Sequence, residues 1–124
     1  MKSDSKMSSN NKDILYFRNE VKKFIEERNW TKYHSPKNLI QALGIEVSEL
    51  SELFLFKDYS VDEILDNKIL FEKIENEIAD IFIYLISFIN VLDADLTKAF
   101  TRKMEINKTK YSTKEFNDGS YYKK

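Results

Sequence analysis

Residues 69–92 have the sequence ILFEKIENEIADIFIYLISFINVL, and this stretch decides the fold class. It contains no glycine or proline, and its length and apolar spacing predict one long helix. Its second half, IFIYLISFINVL, is apolar nearly all round, which predicts burial on more than one side. The other helices of so short a chain are too few to cover this helix on all sides. We therefore expect a homodimer or homotetramer that associates through this helix.

The composition of the whole chain also favours helices. Glycine occurs twice and proline once in 124 residues, whereas tight hairpins and phosphate-cradling loops both depend on glycine. Cysteine is absent and histidine occurs once, which excludes disulfides, thiolate and His-rich metal sites and cysteine nucleophiles. The composition predicts an all-α protein.

Two helices are expected before residue 69. Apolar residues from Ile14 to about Glu27 recur at helical spacing, and a connecting loop follows at residues 28–34. Ser35-Pro36 is a strong start signal for a second helix, which we expect to run to about Phe56. In the polar connection that follows, residues 60–63 match a capping box and indicate a short turn.

One more helix is expected after residue 92. Asp93 or Asp95 can cap it, and it should end near Lys110. The complete pattern predicts an all-α four-helix bundle in one domain, residues 13–111. Residues 1–12 are expected to be a disordered N-terminal tail, and residues 112–124 a C-terminal tail.

Charge and hydropathy narrow the location and the partners. The polar N-terminus has no apolar core of a signal peptide, and the apolar run at residues 81–89 is too short to span a bilayer. We therefore expect a cytoplasmic protein with no membrane partner. The net charge of −1 gives no basic field for nucleic acid. An anionic ligand would need local cations or a bound metal.

Two acidic pairs carry the chemistry that the sequence suggests. Glu46 and Glu49 lie three residues apart on the second helix, and Glu77 and Asp80 do so on the third, so each pair shares a helical face. If the two helices pack antiparallel, four carboxylates converge. Carboxylate oxygens in that number suit Mg²⁺, with Mn²⁺ as a substitute. The alternative is an ordinary solvated face in a chain where a third of the residues are charged.

The ordered set of motifs resembles the MazG-like nucleoside triphosphate pyrophosphohydrolases, especially their dCTP pyrophosphatase branch. The family signature is E-x-x-E, a spacer, then E-x-x-D, and the spacer here is residues 50–76. The stretches that carry the resemblance are RNWTKYHSPKNL (28–39), AL (42–43), EVSELSELF (46–54), DIFIYL (80–85), DL (95–96) and KMEINKTKY (103–111). The resemblance implies hydrolysis of a nucleoside triphosphate to the monophosphate and pyrophosphate. Its dCTP pyrophosphatase branch suggests dCTP as the substrate and house-cleaning as the role.

The resemblance also implies roles for individual residues. It assigns Mg²⁺ to Glu46, Glu49, Glu77 and Asp80, and Glu49 in addition would orient or deprotonate the attacking water. Base, sugar and phosphate contacts would come from Trp30, His34, Tyr84, Phe56, Lys103, Asn107 and Lys110.

Each of those contacts has a plainer alternative. Trp30 and Tyr84 could be core residues, His34 a loop histidine beside a helix start, and the last three residues a solvated helix end. Phe56 stands where the family pattern ends its second helix with tryptophan. It can stack on a base, but it lacks the indole N–H donor.

A second class of function also fits the helices. The chain could be a nucleotide-binding or helix-bundle interaction protein without catalysis. Metal-dependent release of pyrophosphate from a nucleotide panel separates the two classes. The sequence leaves open the base and sugar preference, the number of metal ions and the choice between dimer and tetramer.

Overall fold

A computed structural model describes residues 11–124, and within them the chain is helical with no strand. It divides into two compact units, one up to Leu92 and one from Asp93 to Lys124, which are described separately. The all-α class expected from the sequence is confirmed. None of the helices within residues 11–124 is both long and apolar enough to cross a membrane.

Within residues 11–92, the first unit contains four α-helices: α1 (Ile14–Glu27), α2 (Pro36–Glu52), α3 (Val61–Asp66) and α4 (Lys68–Leu92). A short 3-10 helix, Thr31–Tyr33, lies in the stretch that the sequence assigned to a loop. α5 (Leu96–Lys110) lies in the second unit. The count exceeds the four expected helices because the capping box at residues 60–63 starts a complete short helix rather than a turn.

Local capping bonds explain where these helices begin. The side chain of Ser35 accepts a hydrogen bond from the Asn38 backbone N–H, and Pro36 occupies the first turn of α2. Ser60 and Glu63 form both bonds of a capping box at α3. Such side chains satisfy backbone N–H groups that have no partner inside the helix. These start signals were therefore readable from the sequence.

The end of α2 differs from the expectation. The helix stops at Glu52 rather than near Phe56, and residues 53–57 continue as tight turns with bonds from Leu55 N to Glu52 O and from Lys57 N to Phe54 O. Phe56 itself has a left-handed backbone with φ 58°, which cannot continue a right-handed helix. The apolar spacing persists beyond the true helix end, so spacing alone placed the end too late.

The core of the first unit follows α4, which packs against α2, α1 and α3. Among the described residues, the buried apolar side chains are Leu39 on α2 and, on α4, Leu70, Ile74, Ile86 and Ile89. α1 is fixed to α4 by two hydrogen bonds: Arg18 Nε donates to Asn90 Oδ1 (2.8 Å), and Asn90 Nδ2 donates to the Arg18 carbonyl (3.1 Å). The packing of α2 on α4 positions the acidic residues.

Candidate metal centre

Three acidic side chains meet where α2 packs on α4. One carboxylate oxygen from each of Glu46, Glu77 and Asp80 lies within 4.8 Å of the other two. Glu49 lies within hydrogen-bond reach of both Glu46 and Glu77. The structure thus gathers all four acids that the sequence singled out, with three of them at the centre and Glu49 beside them.

Burial divides the four acids into two kinds. Glu46 and Glu77 are half-buried, whereas Glu49 and Asp80 are exposed. The Oε2 atoms of Glu46 and Glu77 are fully buried and have no hydrogen-bond partner among the described residues. A buried carboxylate oxygen without a partner loses its hydration and gains nothing in return. Something outside the chain is needed to satisfy these two atoms.

The electrostatics of the cluster give the same indication. Loss of hydration is the main cause that raises the pKa of Glu46 to about 7, and the carboxyls of Glu49, Asp80 and Glu77 add to it. Loss of hydration also raises the pKa of Glu77, followed by the charges of Glu49 and Asp80. Like charges disfavour the ionised form of each other. The cluster therefore has an excess of negative charge that a cation would relieve.

The donor set indicates which kind of cation fits. Carboxylate oxygens from Glu46, Glu77 and Asp80 are hard ligands, which favour Mg²⁺ or Mn²⁺ over softer metals. The two partnerless oxygens are the atoms that such an ion would satisfy. The residues present thus fit a divalent cation, and this acidic cluster is the candidate metal centre.

The four predicted base and sugar contacts lie in three places: Trp30 and His34 flank the 3-10 helix, Phe56 follows α2, and Tyr84 is on α4. None of the hydrogen bonds or ring contacts of residues 11–124 joins them to the acids. Trp30 packs edge-to-face on Phe24, with ring centroids 5.8 Å apart. His34 follows the 3-10 helix, where loss of hydration lowers its pKa. Tyr84 is half-buried on α4, one turn beyond Asp80. Phe56 is 98% exposed. Their roles remain predictions.

The predicted phosphate contacts lie in the second unit. Lys103, Asn107 and Lys110 are on α5, with Asn107 half-buried and both lysines exposed. Their spacing of four and three residues gives them one helical face. Their role also remains a prediction.

The sequence indicated only a C-terminal tail for residues 112–124, yet side chains there make specific contacts. Glu115 accepts a hydrogen bond from Tyr122 and forms an ion pair with Lys124. Two local signals could have indicated this: a serine three residues before Glu115, and the Asp118-Gly119 turn dipeptide.

Comparisons with known proteins support the geometry. No family model matches the sequence. The chain is similar to dCTP pyrophosphatase 1 of Homo sapiens, with 36% identity over 96 residues, and of Rattus norvegicus, with 35% identity over 89 residues. Each match covers 71% of this chain and 52% of the relative, so the chain spans about half the length of these curated relatives.

A solved structure is similar over nearly its whole length. The crystal structure of a pyrophosphatase from Archaeoglobus fulgidus DSM 4304 matches with a TM-score of 0.72 and 35% identity, covering 84% of this chain and 96% of that one. The chain therefore belongs to the MazG-like family of all-α nucleoside triphosphate pyrophosphohydrolases. Within that family, its similarity is to the dCTP pyrophosphatase branch.

Proposed function

We propose that this protein is a Mg²⁺-dependent nucleoside triphosphate diphosphatase, which hydrolyses a nucleoside triphosphate to the monophosphate and pyrophosphate. The observation that carries the proposal is the pair of buried, partnerless carboxylate oxygens on Glu46 and Glu77 beside Asp80. Such a cluster gives a purely structural helix pair no advantage, because the buried carboxylate oxygens lose hydration that nothing in residues 11–124 replaces.

The cation solves an electrostatic problem at this site. A triphosphate carries about four negative charges, so an acidic cluster would repel it. A bound Mg²⁺ would supply neutralising charge and polarise the phosphate that is attacked by water. In the proposal Glu46, Glu49, Glu77 and Asp80 hold the ion, and Mn²⁺ can substitute for it.

The exposure of Glu49 supports a role as the base that acts on water. Glu49 is the exposed member of the Glu46–Glu49 pair and lies within reach of both half-buried glutamates. Its carboxylate can face solvent and accept the proton of the attacking water, because general bases must lie within hydrogen-bond reach of the group they deprotonate. We assign this catalytic role to Glu49.

Substrate contacts complete the proposal. Trp30, His34, Tyr84 and Phe56 contact the base and sugar, and Lys103, Asn107 and Lys110 contact the phosphates. The conformation of Phe56 supports its contact with the base. An exposed phenylalanine in the left-handed region is unfavourable both because its backbone is strained and because its ring is hydrated. Since the relatives are named dCTP pyrophosphatases, we infer that dCTP is preferred and that the role is house-cleaning of nucleotide pools in the cytoplasm.

We further propose that the protein is a homodimer or homotetramer that associates through α4. Apolar residues of this helix lie exposed in the single chain: Ile78, Ile83, Leu85, Val91 and Leu92. Exposed apolar surface of this kind marks association sites. A second copy would cover these residues.

The decisive experiment measures pyrophosphate release from a panel of ribo- and deoxynucleoside triphosphates with Mg²⁺ and with a chelator. We expect release only with the metal, and the highest kcat/KM with dCTP. Tight nucleotide binding without release would instead identify a non-catalytic binding protein.

Replacement of the base gives a sharper test of the mechanism. Glu49→Gln should reduce kcat by at least about 100-fold, the usual contribution of a general base, with little change in thermal stability. Glu75→Gln is the matched control, because Glu75 is exposed on α4 outside the cluster and its loss should leave kcat unchanged. Retained turnover in Glu49→Gln would refute the assignment.

A further inference from the structure

Two turns reverse the chain after α5. Ser112 Oγ accepts a hydrogen bond from Glu115 N (3.3 Å), and the Ser112 carbonyl accepts one from Phe116 N (2.9 Å). Further on, Asp118 Oδ1 accepts a bond from Ser120 N (3.0 Å), and Gly119 has φ 84°, a conformation that glycine adopts at no steric cost. These turns bring residues 121–124 back towards the end of α5.

The returning segment makes a connected set of contacts, which we call the terminal clasp (Tyr111, Glu115, Phe116, Tyr122 and Lys124). Glu115 accepts a hydrogen bond from Tyr122 Oη (2.8 Å) and pairs with Lys124 Nζ (2.7 Å). The backbone N–H of Lys124 donates to Tyr111 Oη (3.0 Å). The ring of Phe116 lies between those of Tyr111 and Tyr122, at 5.4 and 4.7 Å. Tyr111 is thus held both at its hydroxyl and at its ring.

Tyr111 in turn contacts two residues of the proposed phosphate-binding face. The ammonium of Lys110 lies over the Tyr111 ring, 5.5 Å from its centroid. The backbone N–H of Tyr111 donates to the Asn107 carbonyl (2.8 Å) and ends the helix there. A lysine side chain is otherwise long and flexible, so a fixed ring beside it narrows the positions of its charge.

We propose that the terminal clasp positions Lys110 for the substrate phosphates, with Tyr111 as the positioning residue that touches it. This inference rests on the proposed function, since it assumes that Lys110 binds a triphosphate. The clasp acts through binding and not through chemistry, because none of its members other than Tyr111 touches the phosphate-binding face.

The first test compares steady-state kinetics of tyrosine variants. Tyr111→Leu removes the ring and should raise KM for the nucleoside triphosphate about 2- to 5-fold with kcat little changed, as for loss of a solvent-exposed cation–π contact. Tyr111→Phe keeps the ring, so its KM should stay nearer the wild-type value. Tyr121→Leu is the matched control, since Tyr121 is 86% exposed, and its KM should be unchanged.

A double-mutant cycle separates positioning from a merely structural role. In a Lys110→Gln background, Tyr111→Leu should have no further effect on KM, because the charge that it positions is gone. Glu115→Ala loosens the clasp but leaves Tyr111 in place, so it should also raise KM. This second variant keeps the proposal testable if circular dichroism shows that Tyr111→Leu has lost helicity. If the wild type is active and both Tyr111→Leu and Glu115→Ala keep its KM, the clasp has no such role. An inactive wild type would instead overturn the proposed function.

Discussion

Glu46 is the side chain whose ionisation the fold opposes most clearly. Its carboxyl is half-buried among three other acids, and the resulting pKa is about 7 against an ordinary 4.5. Because the folded protein binds the proton more tightly than the unfolded chain does, protonated Glu46 stabilises the fold. That stabilisation is complete below about pH 4.5 and is lost as the pH rises through about 7.

A pH series on the metal-free protein should reveal this loss. We expect the urea midpoint of the wild type to fall between pH 5 and pH 8 by more than that of Glu46→Gln, whose side chain stays neutral. Added Mg²⁺ should restore the wild type most strongly at the higher pH, because the ion binds the deprotonated carboxyls. Parallel curves for the two proteins would contradict the assigned environment of Glu46.

The sequence predicted the acidic pairs but not that one member of each pair would be more buried than the other. Spacing of three residues places Glu46 with Glu49, and Glu77 with Asp80, on shared helical faces. Which member of each pair becomes buried depends on how α2 is rotated against α4, and that rotation is set by the packing of Leu39 and the α4 core residues. Periodicity within one helix contains no information about it.

Gly44 is an anomaly at the level of the helix. It lies inside α2, is exposed, and a Cβ built on it would meet nothing within 4 Å. Within the single chain the residue therefore costs helix stability without a packing reason, since glycine is about 0.8–1.0 kcal/mol less favourable than alanine in a helix interior.

Gly44→Ala should raise the free energy of unfolding by about 0.5–1 kcal/mol, measured by urea denaturation. The reciprocal change Ala79→Gly, at an exposed position of α4, should lower it by a similar amount. Destabilisation by Gly44→Ala would show that another molecule approaches this position too closely for a methyl group.

Helix starts and helix ends differed in how well the sequence predicted them. Ser35-Pro36 and the Ser60–Glu63 box act over three residues, so their bonds follow from local sequence. The end of α2 depends on the left-handed Phe56, a conformation that bulky residues rarely adopt. No glycine or asparagine marks this position, so apolar spacing could not indicate that the helix ends before it.

The whole molecule exposes more apolar surface than its small core explains. Ile83 on α4 is 41% exposed, although the buried residues Ile86 and Ile89 lie within two turns. If α4 is the association surface, a charge at this position would be buried without a partner in the assembly, at a cost of several kcal/mol.

Ile83→Glu should therefore shift the protein to monomers in light scattering coupled to size-exclusion chromatography. Val61→Glu is the control, because Val61 is 69% exposed on α3 and should leave the mass unchanged. An unchanged mass in Ile83→Glu would place the association surface elsewhere or exclude it.

The sharing of α4 between the core and the acids restricts how the chain can change in length. Glu77 and Asp80 face α2, and Ile86 and Ile89 are buried only two turns later. Deleting one residue between Asp80 and Ile86 would turn everything beyond it by about 100°, since a helix has 3.6 residues per turn. The carboxylates and the isoleucines could not then both keep their partners. Insertions and deletions should accumulate instead in the connection at residues 53–60, where no helical phase has to be preserved.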